Sequence, residues 1–168
     1  MSLAIDWLGT RKGEDPMVYL DDLYRYVAVR LGSREDAEDI AIEVVQALPN
    51  PCRKANLRVY MLGMARRKVV DRLRRKRPSV ALYDADVTVR FDRDADEAAL
   101  VNGVMKTLSD DHREVLSLKY YAGLSSAEIG AMLSKKPEAV DSMLQRARSA
   151  FEQSWRQVTG DEVKDERK

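Results

Sequence analysis

The sequence has only one cysteine and one histidine in 168 residues. Cys52 alone cannot close an internal disulfide, and Cys52 with His112 cannot make a His/Cys zinc set, so no metal site is expected. No stretch reads as a secretory leader, and no apolar run is long enough to cross a bilayer. The expected setting is therefore cytoplasmic, without membrane insertion. Glycine-rich phosphate loops and the GxSxG elbow are missing. Acids are plentiful, 28 Asp and Glu, but none lies in an apolar stretch that would tune an acid–base pair. No catalytic residue and no cofactor is expected, and an enzyme has little support. Aromatics make up only 7% of the residues, so any core must be mainly aliphatic.

What the chain does have is a concentrated positive charge. Arg53–Arg77 holds eleven Lys or Arg and one acid, Asp71, a local net of +10 in a protein whose total is +1. Leu57, Met61, Met64, Ala65, Val69, Val70 and Leu73 recur there at intervals of three and four. That period predicts a helix with one buried face and a cationic outer face. Gly63 lowers helix propensity without ending so long a helix. Such a block suits a polyanion, nucleic acid first. A membrane surface, an acidic protein or a merely solvated face are the alternatives.

The 168 residues suffice for one domain or two small ones, and the pattern favours two. Residues 1–15 read as a loose arm. Asp15-Pro16 is a helix start, with Leu20, Leu23, Tyr24, Val27, Ala28 and Leu31 inward and Gly32 as the stop. Ser33-Arg34-Glu35-Asp36 resembles a capping box and opens a second helix that buries Ala37, Ile40, Ala41, Val44, Val45 and Leu48. Its outer face carries Glu35, Asp36, Glu38, Asp39 and Glu43 against Arg34, a net of −4. These acids either favour the helix N-terminus or form a docking face for a basic partner. Pro49-Asn50-Pro51 breaks the chain before the basic helix. Residues 79–96 lose the helical pattern and read as a flexible acidic linker rather than a strand, despite weak alternation over Val87–Phe91.

The second half is punctuated separately. Ala98–Leu108 reads as a helix, Ser109 caps the next, and Ala122-Gly123 turns the chain. Ser125-Ser126-Ala127-Glu128 is a capping box for a short helix, Ser126–Leu133. Ser134-Lys135-Lys136-Pro137 leads into a last long helix with Val140, Met143, Leu144, Ala147 and Phe151 inward. A short helix, a tight turn and a longer helix is the helix-turn-helix arrangement, whose second helix reads a major groove. An ordinary three-helix bundle is the alternative. Residues 157–168 form a charged tail.

Taken together, these residues resemble the extracytoplasmic-function sigma factors of bacterial RNA polymerase. Asp36-Ala37-Glu38-Asp39-Ile40 resembles the acidic helix of region 2, and Tyr60–Asp71 with Arg72-Leu73-Arg74 its basic helix. Leu108–Leu118, Gly123-Leu124-Ser125, Glu128-Ile129-Gly130, Val140, Ser142 and Arg146-Ala147-Arg148 resemble region 4. The fold implied is all-α: a region 2-like bundle over 16–78 and a region 4-like helix-turn-helix over 97–156.

The resemblance implies partners and site residues. Asp36, Glu38, Asp39, Glu43 and Gln46 would dock on the β′ subunit of core polymerase, with the β subunit contacted elsewhere. Asn50, Arg53, Lys54, Arg58, Tyr60, Arg67, Lys68, Arg72, Arg75 and Arg77 would hold and help melt the promoter −10 element. Lys135, Lys136, Glu138, Asp141, Ser142, Gln145, Arg146 and Arg148 would meet the −35 element. An anti-sigma factor is a further partner that the resemblance allows. The sequence departs from the family pattern at Tyr60, commonly Trp, at Arg67, commonly Asn, and at Asp141 and Met143, where basic residues are favoured. The last two imply weak or unusual −35 reading. A stand-alone helix-turn-helix regulator, or a polymerase-binding module with reduced promoter reading, would share much of this pattern.

Overall fold

The computed structural model describes residues 15–49, 54–75 and 95–160. Among them every regular element is helical. The chain divides into two compact units, Met1–Asp84 and Ala85–Lys168. None of the helices among the described residues is long and apolar enough to cross a membrane.

The first unit packs three helices. Asp15 accepts a hydrogen bond from the Met17 amide, and Pro16 opens a 3₁₀ turn, Pro16–Tyr19, that runs into α1, Leu20–Leu31. Gly32 stops α1 at φ 64°, its N–H donating to the Ala28 carbonyl, a conformation that other residues adopt with strain. Ser33 caps α2, Arg34–Gln46, by accepting from the Asp36 amide. Asn56 does the same for α3, Leu57–Arg75, accepting from the Val59 amide. Helix α3 runs unbroken through Gly63.

The core of this unit joins Leu23 and Val27 of α1, Ile40 and Val44 of α2, and Met61 and Val69 of α3. Each such side chain contributes about 1.5–3 kcal/mol when fully buried. Two fully buried members lie off the expected stripes, Tyr26 and Leu62. The expected Tyr24 and Leu20 are only half-buried. Helix α1 packs on both α2 and α3, so it is covered on more than the one side that a single stripe describes.

The second unit contains α4, Ala95–Thr107; α5, Asp110–Leu116; α6, Ser126–Leu133; and α7, Pro137–Thr159. Helix α4 begins earlier than the expected Ala98, inside the stretch read as linker. The rest of the expected linker, Val87–Phe91 included, lies outside the described residues, as do the N-terminal arm and the end of the tail. Ser109 caps α5. Buried Arg113 donates to the carbonyls of Met105, Lys106 and Leu108 at 2.9, 2.7 and 3.2 Å, filling acceptors that the end of α4 leaves open. Helix α5 then widens into one π-helical turn, Ser117–Tyr121. Helix α7 packs on α4, α5 and α6 through buried Val140, Leu144 and Ala147, and Gly160 ends it at φ 70°.

Candidate nucleic-acid and protein interfaces

The cations of α3 are not equivalent. Arg58 pairs with Asp22 of α1 at 2.7 Å. Lys68 pairs with Glu43 of α2 at 2.6 Å. Arg72 pairs with Asp36 of α2 and lies 3.9 Å from Glu43. Arg67 and Arg75 are exposed, and Arg74 is exposed with Asp71 4.0 Å away. Lys54 lies over the half-buried Tyr60 ring, 4.7 Å from its centroid, and holds that ring at the entrance of the helix. Asn50, Arg53 and Arg77 lie outside the described residues.

The acids of α2 divide in the same way. Asp36 and Glu43 turn toward α3. The hydrogen bond from Lys68 is the main cause that holds the Glu43 carboxyl below its ordinary value of 4.5; desolvation opposes it, and the charges of Lys68 and Arg72 each add a smaller lowering effect. Glu35, Glu38, Asp39 and Gln46 remain exposed, with Arg34 bonded to Glu38 at 2.9 Å. Ile42 sits among them, 54% exposed. Sequence reasoning passed over Ile42 because it lies off the buried stripe. Its signal was an isoleucine between acids on the polar side. The outward face thus offers three carboxylates, an amide and one apolar side chain, a composition that can meet a basic partner.

In the second unit α6 and α7 meet through a three-residue turn. Both halves of the Ser125–Glu128 capping box are made, at 3.2 and 2.8 Å. Ser134 takes a left-handed conformation, φ 56°, and the Lys135 N–H donates to the Gly130 carbonyl at 2.8 Å. Pro137 belongs to α7 rather than to the turn. A Cβ at Gly130 would lie 2.5 Å from the Lys135 carbonyl oxygen, so only glycine fits this joint without displacement.

The turn exposes Lys135 and Lys136, and the N-terminal half of α7 exposes Glu138, Asp141, Ser142, Gln145 and Arg146. The Asp141 carboxylate accepts from the Ser126 hydroxyl at 2.5 Å, which ties the two helices together. Ser142 donates to the Glu138 carbonyl and Arg146 to the Ser142 carbonyl, so both lie along their own helix. Met143, expected inward, is half-buried between core and surface. Arg148 is directed away from the reading half: its Nε donates to the Tyr120 hydroxyl at 2.7 Å, and its guanidinium lies 5.8 Å from that ring.

Arg148 and Tyr120 border a cleft of about 620 Å³ that the sequence reading did not find. Tyr121, Phe151, Trp155 and Met105 form its apolar wall, with Phe151 and Trp155 stacked at 6.0 Å. Arg148 and Arg156 face it together with Glu97 and Glu152, so its rim is balanced in charge. That chemistry receives an amphipathic protein segment better than a polyanion.

The chain matches two family models, sigma-70 region 2 over residues 17–78 and sigma-70 region 4 over residues 100–151. It is 29% identical over 142 residues to the ECF RNA polymerase sigma factor SigC of Mycobacterium tuberculosis, covering 77% of this chain and 75% of that protein. It is 26% identical over 144 residues to the sigma factor BldN of Streptomyces coelicolor, covering 77% of this chain and 54% of BldN. Among solved structures it shares the fold of the sigma factor RpoE of Bartonella quintana, solved in complex with the anti-sigma factor NepR. The TM-score is 0.61 at 17% identity, over 82% of this chain and 92% of that one.

Proposed function

The chain belongs to the sigma-70 family of RNA polymerase subunits, and from that premise we propose how its faces divide the work of an initiation factor. It is a sigma subunit of the extracytoplasmic-function type that binds core RNA polymerase and recognises promoter DNA. It acts in the cytoplasm as a binding subunit and not as a catalyst.

The outward face of α2, with Glu38, Asp39, Ile42 and Gln46, docks on a basic surface of core polymerase. Helix α3 lies along the −10 element. Arg67 and Arg75 contact phosphates, and Tyr60 offers a ring on which an unstacked base rests during melting. The α6–α7 pair reads the −35 element. Lys135 and Lys136 sit at the phosphates, and Gln145 suits the edge of an adenine. The aromatic cleft of the second unit takes a segment of the polymerase, for which the β subunit is the candidate. A regulator of the anti-sigma class is a further candidate partner.

One observation carries this division. Helix α3 is braced against α1 and α2 through Arg58, Lys68 and Arg72, yet leaves Arg67 and Arg75 exposed on the same rigid helix. A cationic face held in this way is pre-organised for a phosphate backbone. The test is run-off transcription by purified core polymerase with the full-length protein, followed by mapping of start sites. Starts that share −10 and −35 sequences are expected. Tight, specific duplex binding by the protein alone, without transcription, would mark a stand-alone regulator instead.

A further inference from the structure

Helix α7 presents acceptors where a groove-reading helix commonly presents Arg or Lys. Glu138, Asp141 and Gln145 are exposed and follow one another at intervals of three and four, so they share a stripe opposite buried Val140, Leu144 and Ala147. Their neighbours Ser142 and Arg146 donate to the Glu138 and Ser142 carbonyls, at 3.0 and 3.3 Å, and lie along their own helix. Of the three acceptors, Asp141 is held by a second helix. The hydroxyl of half-buried Ser126, the first residue of α6, donates to its carboxylate at 2.5 Å. We propose that Asp141, positioned by Ser126, reads the exocyclic amino group of a cytosine in the −35 element.

The proposal rests on the assignment of α6 and α7 to the −35 element given above. An ionised carboxylate only accepts hydrogen bonds, and its two oxygens offer about four acceptor sites, so the bond from Ser126 leaves capacity for a base. In the major groove the cytosine edge offers its N4 amino donor. Guanine turns two acceptors, N7 and O6, to the groove, and thymine an acceptor, O4, beside a methyl group. Adenine sets its N6 donor next to the N7 acceptor. A carboxylate is thus attracted by cytosine, repelled by guanine and thymine, and matched only in part by adenine. A loose acid beside DNA phosphates can turn away from the bases. The Ser126 bond removes that freedom before DNA arrives, so less side-chain entropy is lost on contact. The acid contributes discrimination rather than affinity, while Lys135 and Lys136 of the turn attract the phosphates.

The experiment uses holoenzyme assembled from core polymerase and the full-length protein. Its probe is a duplex promoter library with the −35 region randomised upstream of a −10 element obtained by start-site mapping, and the bound molecules are sequenced. The wild type is expected to enrich cytosine about tenfold at one position. Asp141→Asn should move that position to adenine, because an amide pairs bidentately with N6 and N7 of adenine, while every other position keeps its base. Asp141→Ala should make the same position indifferent. Ser126→Ala should reduce the cytosine preference severalfold, and Ser126→Thr, which restores the hydroxyl, should regain it. A tie that serves only to join the helices gives a different result: equal loss of binding to all sequences and a lower Tm, with base preference unchanged. That result would overturn the proposal, as would a cytosine preference that survives Asp141→Asn. Gln145→Ala reports on the underlying assignment, since it should relax preference at another position. Relaxation there with no effect of the Asp141 variants leaves α7 in the groove and removes Asp141 as a reader. A wild type without any −35 preference removes the assignment of α6 and α7 itself.

Discussion

Replacing Gly130 by alanine tests the joint on which promoter reading by α7 depends. The added Cβ would lie 2.5 Å from the Lys135 carbonyl oxygen, where ordinary contact begins at 3.4 Å, so one group must move by about 0.9 Å. The obstacle is backbone, and it is doubly fixed. The Lys135 N–H is bonded to the Gly130 carbonyl at 2.8 Å, and Ser134 before it already holds φ 56°. Overpacking of this kind costs about 1–3 kcal/mol. Alanine recovers about 0.5–1 kcal/mol of helix propensity. The expected net loss is about 0–2.5 kcal/mol. For a unit of this size that lowers Tm by roughly 4–8 °C per kcal/mol. Gly63 and Gly103 are the internal controls: nothing lies within 4 Å of a Cβ at either, so alanine there should stabilise by about 0.5–1 kcal/mol. Thermal unfolding of the three variants followed by circular dichroism makes the comparison, and −35 duplex affinity of the holoenzyme reports the shift of α7. A Gly130→Ala protein as stable as Gly63→Ala would refute the reasoning.

Arg72→Ala should destabilise the first unit, because Asp36, only 15% exposed, loses its ion pair with Arg72, whereas Arg75→Ala should leave Tm unchanged and weaken holoenzyme binding to DNA; chemical denaturation and filter binding separate the two effects. Reversing charge at Glu38 and Asp39 should abolish co-purification with core polymerase while helicity is retained, and a reversed variant that still co-purified would remove the docking role. Glu43 has a folded pKa below its unfolded value, so its contribution is fully present above about 4.5 and disappears as pH falls through the lower folded value. Acid unfolding of wild type and Glu43→Gln should therefore converge below that range and separate above it. Met143→Arg should raise −35 duplex affinity with little change in Tm, since Met143 is half-buried at the groove edge. A large loss of stability without gain in affinity would place it in the core.

Local chemistry was legible in the chain because its causes lie within a few residues. The three-and-four spacing placed all the long helices. Ser33, Ser109 and Ser125 marked their starts, and Gly32 marked an end, through hydrogen bonds that span three or four positions. The run of arginines over α3 and the short-helix, turn, long-helix spacing pointed to nucleic acid without any coordinates. What sequence could not decide is how charges and faces are spent across helices. Asp36 is 36 residues from Arg72, and Glu43 is 25 from Lys68, so no local period reveals that they meet. Tyr26 and Leu62 are buried because α1 and α3 each pack on two neighbouring helices, not because of their place in a stripe. Arg148 looked like a phosphate contact until Tyr120, 28 residues earlier, was found to accept from it. Gly130 was one small residue in a short helix until the Lys135 carbonyl came within reach. Periodicity and capping follow from backbone geometry, which every segment carries with it. Pairing across helices depends on the order in which the segments pack, and that exists only in the folded chain.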